Sequence, residues 1–537
     1  MWKVGAEGTT LWAVRGGGTS NDCLYSVAID GAGAVVAAGY SRAVATFGGV
    51  ALTAAGGYDA VVWKLSAEGT TLWAVRGGGT GTDRLYGVAV DGSSAAVAVG
   101  SFVAGYYKYG YFYDSPATFG GVVLTSGKGN DAVVWKISAE GTTLWVVSGG
   151  GTSSIGGSSN DILNGVAVDG LNAVVAAGYF ACTTATFWGV TLDNTGYNRI
   201  SRGGDAVLWK SNAEGTTLWA VRSSGFSDAI LNGVAVDGTN AVVAAGYFES
   251  SATFGGVVLT SSGFSPDAVL WKQSGEGTTL WAVRGGGSGS DDLYGVAVDG
   301  AGAVVAAGYS RSSAAMFGDV ALNTVGWADA ISWKLSSEGT TLWAVSGGGT
   351  DDDILYGVAV DGAGAVVAAG QTSSGPSTFG GVVLATAGGS NGLVWKVRAF
   401  IKTFHIFWAR DSCFLPIGAY FERRQFVHVP SIFIIPRSTG AMSISFNLSR
   451  LPLPVFLLSE FVCVLPCTDT VSFPSSCLSL VLGHAHRWLR LTSHHRRRRC
   501  RRCRRCLARH PPIHPPRPRT RAPPAPRASA RPTAFCS

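Results

Sequence analysis

The chain has 537 residues and a formal net charge of +7, but this charge is the sum of two regions of opposite sign. Residues 1–398 contain 19 Lys and Arg against 30 Asp and Glu, a net charge of −11, and residues 399–537 contain 22 against 4, a net charge of +18. All eight His lie in the second region, so the first region lacks the commonest general base and zinc ligand. No apolar run reaches the roughly 20 residues of a membrane helix.

The first region is a tandem repeat. It opens with MWKVGAEGTTLWAV (Met1–Val14), and nearly the same phrase returns at 62–75. The dipeptide Trp-Lys marks every copy, with spacings of 61, 72, 74, 62, 62 and 62 residues. The period is therefore about 62 residues, with insertions in the second and third copies, and a fixed period of this kind indicates a repeat architecture.

Four short strands are predicted in each copy. In the second copy they are strand A at Leu85–Val90, strand B at Ala95–Gly100, strand C at Asp131–Ile137 and strand D at Thr142–Val147. Each is rich in β-branched or aromatic residues and is bounded by Gly or Asp-Gly. A repeated four-stranded antiparallel unit predicts an all-β fold, a β-propeller. The segment between strands B and C, such as ATFGGVVLTS at 117–126, is interpreted as an excursion and not as a fifth strand.

The ends of the repeat region suggest how a ring would close. Strand A occurs six times, and the last copy has strands A, B and C, the last at Leu393–Val397, but no strand D. We expect Thr9–Val14 to supply that strand, which gives six four-stranded blades closed by the N-terminal strand and leaves no open β edge. Met1–Val4 also resembles the end of a strand C, and this leaves seven blades as the alternative.

The pattern DAVVWKLSAEGTTLWAVRGGG (59–79), together with LYGVAVDGAGAVVAAGYS (293–310) and TFGGVVLT (118–125), resembles the SBBP repeat family, whose name denotes a seven-bladed β-propeller repeat. The resemblance covers about 1–398. It implies a propeller scaffold with no catalytic residues to transfer, in a secreted or surface protein. No signal peptide is seen, because repeat sequence follows Met1 directly, so the compartment stays open.

Two motif classes invite a chemical interpretation. The thirteen motif tryptophans are predicted to form core between blades, although the Gly-to-Trp spacing in EGTTLW also looks like the tryptophan-docking motif of quinoprotein dehydrogenases. A quinoprotein-like oxidoreductase is therefore one alternative function. The Asp of VAVDG, for example Asp361, is predicted to be a turn former and not a calcium ligand. With only Cys23 and Cys182 in this region, we predict no metal, no cofactor and no enzyme activity.

Loop variation points to a binding face. Because successive strands run in opposite directions, the A–B and C–D turns lie at one end of the sheets and the B–C and D–A loops at the other. Nearly all length variation falls in the second set, where function usually resides. We predict that this face binds a protein or a glycan. The anchor is a tyrosine-rich insertion, and its aromatic residues are Tyr106, Tyr107, Tyr109, Tyr111, Phe112 and Tyr113.

Residues 399–537 are predicted to be a largely disordered basic tail. The segment from His494 to Cys506 has three Cys among eight Arg, which repel a cation, and Pro-rich sequence follows it. Such a tail favours binding to nucleic acid or an anionic surface, the second alternative function. The competing interpretation is that 399–537 is an artefact of the gene model.

Overall fold

The computed structural model describes residues 1–5, 7, 9–108, 111–127, 129–151, 160–194, 204–373, 375–385 and 389–397, and four strands further on. All helical or strand structure within these residues is β-strand, which confirms the all-β prediction. Among the described residues there is no helix long and apolar enough to cross a membrane. The chain divides into two compact units, of which the first contains residues 1–402.

Six repeat units follow one another in the first compact unit, and we number them 1 to 6. Strand A is Cys23–Ile29, Arg84–Val90, Asp161–Val168, Ala229–Val236, Asp291–Val298 and Asp353–Val360. Strand B is Val35–Phe47, Ala96–Phe102, Val174–Phe180, Val242–Phe248, Val304–Ser310 and Val366–Thr372. Strand C is Val50–Leu65, Asp131–Ile137, Asp205–Ser211, Asp267–Gln273, Asp329–Leu335 and Asn391–Val397. Strand D is Thr71–Gly78, Thr143–Gly151, Thr217–Gly225, Thr279–Gly286 and Thr341–Gly347.

Within each unit the strands pair antiparallel in the order A-B-C-D, as the sequence predicts, except that unit 6 ends at strand C. Strand A of each unit packs beside strand A of the next. Four-stranded antiparallel sheets joined through their first strands are β-propeller blades, so the chain is a β-propeller repeat protein. Apart from strands B and C of unit 1 and the ends of strand D, the strand bounds lie close to the predicted ones.

The segment interpreted as an excursion is a hairpin, and this corrects the prediction. In unit 1 it extends strands B and C. In units 2 to 6 its first strand is Ala117–Phe119, Thr184–Phe187, Ser251–Phe254, Ala315–Phe317 and Ser377–Phe379, and its second is Val122–Leu124, Val190–Asp193, Val257–Thr260, Val320–Leu322 and Val382–Leu384.

Each hairpin pairs with the glycine-rich end of strand D of the preceding unit. Gly77 and Gly78 pair with Phe119 and Thr118, and equivalent pairing is formed at the other junctions. A side chain at Gly77 would collide with the Phe119 ring, so the glycine run is required there. These glycine runs look like flexible links in the sequence. In the structure their backbones form hydrogen bonds that join one unit to the next.

The predicted ring-closing pair is not formed. Thr10–Ala13 pairs with Trp2–Val4, the segment that resembles strand C, and Gly16–Gly18 pairs with unit 1. Asn391–Val397 pairs only with strand B of its own unit in the described part of the chain. A short turn joins the two N-terminal strands, so closing the loop between them costs little conformational entropy. Pairing with a strand near residue 395 closes a much longer loop at a higher cost.

The Trp-Lys tryptophans form the interior of each sheet. Trp63, Trp135, Trp209, Trp271 and Trp333 are essentially inaccessible, and each indole N–H donates to a threonine of strand D, for example from Trp63 to Thr71 at 3.0 Å. The ring meets a hairpin phenylalanine edge to face, as between Trp63 and Phe47 at 5.4 Å. Trp2 departs from the core prediction because it is 67% exposed.

The strand D tryptophans join one unit to the next. Trp73 donates its indole N–H to the carbonyl oxygen of Ala139 in the C–D turn of unit 2, at 2.8 Å. Its ring lies against Gly141 of that turn. The same contact is made by Trp12, Trp145, Trp219 and Trp281, each with the turn of the following unit. The Gly-to-Trp spacing of EGTTLW is therefore explained by packing between units.

Buried ion pairs reinforce this end of each sheet. The Asp of VAVDG accepts backbone N–H bonds within its turn, as Asp91 does from Ser93 and Ala95, which confirms the turn-forming role. Its other oxygen binds the Lys of Trp-Lys, as between Asp91 and Lys136 at 2.9 Å. Lys136 also donates to the Ala213 carbonyl of the next unit. The other buried pairs are Lys64–Asp30, Lys210–Asp169, Lys272–Asp237 and Lys334–Asp299, whereas the Lys396–Asp361 pair of unit 6 is exposed.

The second compact unit contains four described strands, Phe404–Phe407, Phe433–Pro436, Ala441–Ser445 and Phe461–Pro466, which form one sheet. The rest of the predicted disordered tail, including His494–Cys506, lies outside the described residues, so that interpretation stays a prediction.

The docking of tryptophan on glycine is tested by a pair of alanine substitutions. Gly277 has φ +84° and a Cβ there would lie 2.9 Å from the Trp219 ring, whereas Gly256 has φ +91° and open space around it. We expect Gly256→Ala to lower the free energy of unfolding by about 1 kcal/mol through backbone strain. Gly277→Ala should cost about 1–3 kcal/mol more because it overpacks the tryptophan. Urea unfolding followed by tryptophan fluorescence measures both, and equal losses would contradict the docking role.

Candidate binding face

The observed pairing places the B–C and D–A loops at one end of the sheets, opposite the Trp-docking turns. Strand B ends, and strands C and A begin, at this end in every unit. We call this end the variable face. It contains the tyrosine-rich insertion of unit 2. Unit 3 has insertions at Ser153–Ser159 and Asp193–Gly204, and of these residues 153–159 and 195–203 lie outside the described residues.

The insertion forms a two-stranded hairpin, Gly105–Lys108 with Tyr111–Asp114. Tyr106 and Tyr113 face each other across it, and their rings stack with centroids 5.4 Å apart. They are 40% and 43% exposed. Phe112 is half-buried and lies against Gly105. The backbones of Tyr107 and Tyr111 pair within the hairpin, but their side chains and all of Tyr109 lie outside the described residues.

A second aromatic group lies across the D–A loop from this hairpin. The guanidinium of Arg84 lies over two tyrosine rings, 5.3 Å from the centroid of Tyr40 and 4.9 Å from that of Tyr58. Arg42 lies 5.4 Å from the Tyr58 centroid. Cation–π contacts of this kind fix a guanidinium while its hydrogen bonds remain unused.

Strand A extends this group along the inner edge of the sheets. Tyr25 sits at a β-bulge between Leu24 and Ser26, and its ring is 5.4 Å from Tyr86, the bulge residue of unit 2. Bulges commonly re-aim side chains beside functional sites. We call the whole set the Arg–Tyr cluster: Tyr25, Tyr40, Arg42, Tyr58, Arg84 and Tyr86.

The Arg–Tyr cluster was not predicted from the sequence. A signal was present, because the position of Arg84 is Cys, Ile or Asp in the other five units, for example Cys23 and Asp292. The tyrosines around it come from strands A, B and C of unit 1 and strand A of unit 2. Only the packing of two units brings them together.

Pairs of buried carboxylates mark the junctions between units on the variable face. Asp131 at the start of strand C in unit 2 approaches Asp161 at the start of strand A in unit 3, and both carboxylates lie beside Gly150. Asp267 with Asp291 and Asp329 with Asp353 repeat this arrangement beside Gly286 and Gly348. Two buried carboxylates side by side repel each other, which favours protonation of one of them or the binding of a cation.

An arginine neutralises some of these junctions and is missing from others. Arg222 binds Asp205 at 3.0 Å, and Arg76 and Arg284 bind the equivalent Asp59 and Asp267. The same strand D position is Ser148 opposite Val133 and Ser346 opposite Ile331. One oxygen of the strand C Asp has no hydrogen-bond partner among the described residues in either kind of junction, at Asp131 and Asp329 as at Asp59 and Asp267, so the difference lies in the ion pair to the other oxygen.

The junctions without arginine therefore contain carboxyl groups that ionise late. Burial, with the nearby Asp161 charge, raises the pKa of Asp131 to about 8. Burial, with the nearby Asp353, raises the pKa of Asp329 to about 6. At Asp59 and Asp267 burial also raises the pKa, but Arg76 and Arg284 oppose it.

The acidic run at 351–353 is partly internal. Asp353 is fully buried and accepts the Gly349 N–H at 2.8 Å, and Asp352 forms an ion pair with Arg311. Within the described ranges, no group of three or more His, Cys, Asp or Glu side chains is placed to hold a metal ion. Cys23 and Cys182 are free thiols.

Comparison with known proteins gives limited matches. No protein-family model matches the chain, so the SBBP resemblance stays a prediction. An uncharacterized WD repeat-containing protein of Acanthamoeba polyphaga mimivirus is 32% identical over 108 residues, which are 18% of this chain and 8% of the viral protein. The match thus spans a small part of that relative.

Solved structures with similar strand arrangements have low identity. A protein of unknown function from Bacteroides caccae is 8% identical, with 60% of this chain and 81% of that chain covered and a TM-score of 0.28. Sqt1 from Chaetomium thermophilum is 10% identical, with 66% and 80% covered and a TM-score of 0.31. Because these TM-scores are low, the propeller assignment rests on the strand pairing described above.

A cationic side chain placed near Asp131 should remove a pH dependence of the free energy of unfolding. The ordinary pKa of this carboxyl is 3.8, against about 8 in the folded chain. Between these two pH values Asp131 is therefore ionised only in the unfolded chain. The free energy of unfolding therefore falls as the pH rises through that window. Ser148→Arg reproduces the Arg222 arrangement and lowers the folded pKa, and we expect it to stabilise by about 1–3 kcal/mol near pH 9 and by less near pH 5.

Thermal unfolding at both pH values measures this effect. Arg284→Ser, at the junction where Asp267 lies beside Asp291, is the matched reverse variant and should lose more stability near pH 9 than near pH 5. An equal effect of Ser148→Arg at both pH values would show that Asp131 does not titrate late.

Proposed function

We propose that the chain is a noncatalytic binding scaffold that recognises a partner protein through its variable face. The opposite end of each sheet is occupied by the Trp-docking and Lys–Asp contacts that join the units. The variable face instead carries the tyrosine hairpin of unit 2, whose exposed rings are not used in joining units. A rigid frame with variable loops at one end is a common arrangement for binding sites.

The observation that carries the proposal is the stacked pair of Tyr106 and Tyr113. Tyrosine provides a large amphipathic contact area at a low cost in conformational entropy. Their stacking preorganises that area, because each ring already limits the movement of the other. Beside them lies the Arg–Tyr cluster, on the other side of the D–A loop at 79–83. Gly81 in this loop approaches the backbone of Val103 and Gly105, so the loop packs on the base of the hairpin.

Binding is tested on the full chain with a displayed peptide library and a glycan array. Ligands selected on the wild-type protein are measured again on a Tyr106→Ser, Tyr113→Ser double variant, and we expect affinity to fall at least about tenfold through loss of both anchors. The control is Leu171→Ser, which removes a side chain that is 74% exposed in an A–B turn at the opposite end.

Peptide ligands that lose affinity only in the tyrosine variant support the proposal. Ligands with equal affinity for all three proteins would refute it. Selection of glycans alone would replace the protein partner by a carbohydrate.

A further inference from the structure

The Arg–Tyr cluster contains two guanidinium groups without a carboxylate partner. None of the ion pairs among the described residues includes Arg42 or Arg84. The adjacent Asp83 is fully buried, and its two oxygens accept backbone N–H bonds from Gly79 at 2.8 Å and Val103 at 3.1 Å. Asp83 is therefore engaged in holding the loop, and Asp22 accepts the backbone N–H bonds of Gly18 at 2.7 Å and Arg42 at 3.1 Å, so neither carboxylate forms an ion pair with the two guanidinium groups.

The tyrosines leave the hydrogen-bonding edges of these arginines available. Tyr40 and Tyr58 contact the Arg84 guanidinium through their rings, and a guanidinium donates its hydrogen bonds in its own plane. The Nε of Arg84 is buried and has no hydrogen-bond partner within the described residues. A desolvated donor without a partner is costly, so the cluster leaves part of the hydrogen-bonding capacity of Arg84 unused.

The chain contains a second copy of this place in which the arginine is occupied. Arg311 of unit 5 is the equivalent of Arg42, lies 5.2 Å from the ring centroid of Tyr309 and pairs with Asp352 of unit 6 at 3.5 Å. Asp352 forms a parallel bridge with Ala328, and at the unit 1–unit 2 junction the residue in the same bridge is Thr82. The internal carboxylate is thus replaced by a neutral hydroxyl beside the Arg–Tyr cluster.

We infer that the Arg–Tyr cluster binds a carboxylate from a partner protein, an Asp or Glu side chain flanked by apolar residues. Arg42 and Arg84 donate to this carboxylate, at the place where Arg311 forms its ion pair with Asp352 in units 5 and 6, and the rings of Tyr25 and Tyr86 receive the flanking side chains. This inference rests on the proposed function, because it specifies the chemistry of the partner on the same face. Guanidinium groups suit the planar, two-oxygen geometry of a carboxylate.

The test uses the full chain and a fluorescein-labelled peptide of alternating Glu and Leu, with a Gln and Leu peptide as the neutral probe. We expect the Glu peptide to bind at least about tenfold more tightly, the effect of one charge-assisted hydrogen bond. Thr82→Asp restores the internal carboxylate of unit 6 and should weaken Glu-peptide binding about tenfold or more, as should Arg84→Gln. Thr82→Asn, a neutral polar control, should bind as the wild type does, and melting curves verify that each variant is folded.

Each outcome decides the matter. Equal binding of the Glu and Gln peptides, or unchanged binding by Thr82→Asp, overturns the inference. Displacement of the Glu peptide by sodium phosphate more strongly than by sodium acetate, at equal ionic strength, overturns the carboxylate assignment in favour of a phosphate site. Loss of selected library ligands in the tyrosine double variant, with the Glu peptide bound equally by wild type and Thr82→Asp, would leave the proposed function standing and remove only this inference.

Discussion

The contact on which the structure depends is the indole of a strand D tryptophan resting on a glycine of the next unit. A single repeat sheet is narrow and cannot bury both of its faces alone, so its stability comes from its neighbours. The indole N–H of Trp73 donates to a turn carbonyl of unit 2 at 2.8 Å. The glycine beneath the ring leaves room for it because it has no side chain, since a Cβ there would lie 2.9 Å from the indole. The buried Lys–Asp pairs hold the same turns, and the hairpin after strand B adds backbone hydrogen bonds across each junction.

Concentrating the Trp–Gly and Lys–Asp contacts at the turn end leaves the loops of the other end free to vary. At the turn end every unit repeats nearly the same residues, because each turn must fit the tryptophan of its neighbour. At the variable face the junctions differ in sequence. Some carry an arginine that neutralises a buried Asp, and others carry serine, so the same backbone supports junctions of different charge. The Arg–Tyr cluster and the tyrosine hairpin lie at this permissive end.

The units also differ in the electrostatics of their buried carboxyl groups. Arg222 and Asp205 form an ion pair at 3.0 Å, whereas the equivalent strand D position of unit 2 is Ser148, and the pKa of Asp131 rises to about 8 through burial and the neighbouring Asp161. A carboxyl that stays protonated near neutral pH avoids the cost of an unpaired buried charge. The two sites also differ in their other neighbour, because Asp131 lies beside Asp161, whereas the equivalent residue at the Asp205 junction is Ala229.

The sequence by itself determined the local features: the period of about 62 residues, the four strands of each unit, their antiparallel order and the end at which the loops vary. These follow from strand propensity, turn residues and spacing, which are properties of neighbouring residues. Only the tertiary structure decided that the Phe119 hairpin pairs with Gly77 of the previous unit, that Thr10–Ala13 pairs with Trp2–Val4, and that Arg42 and Arg84 share the Tyr58 ring. Each of these depends on which of several similar segments becomes a neighbour in space, and near-identical repeats give the sequence no means to distinguish them.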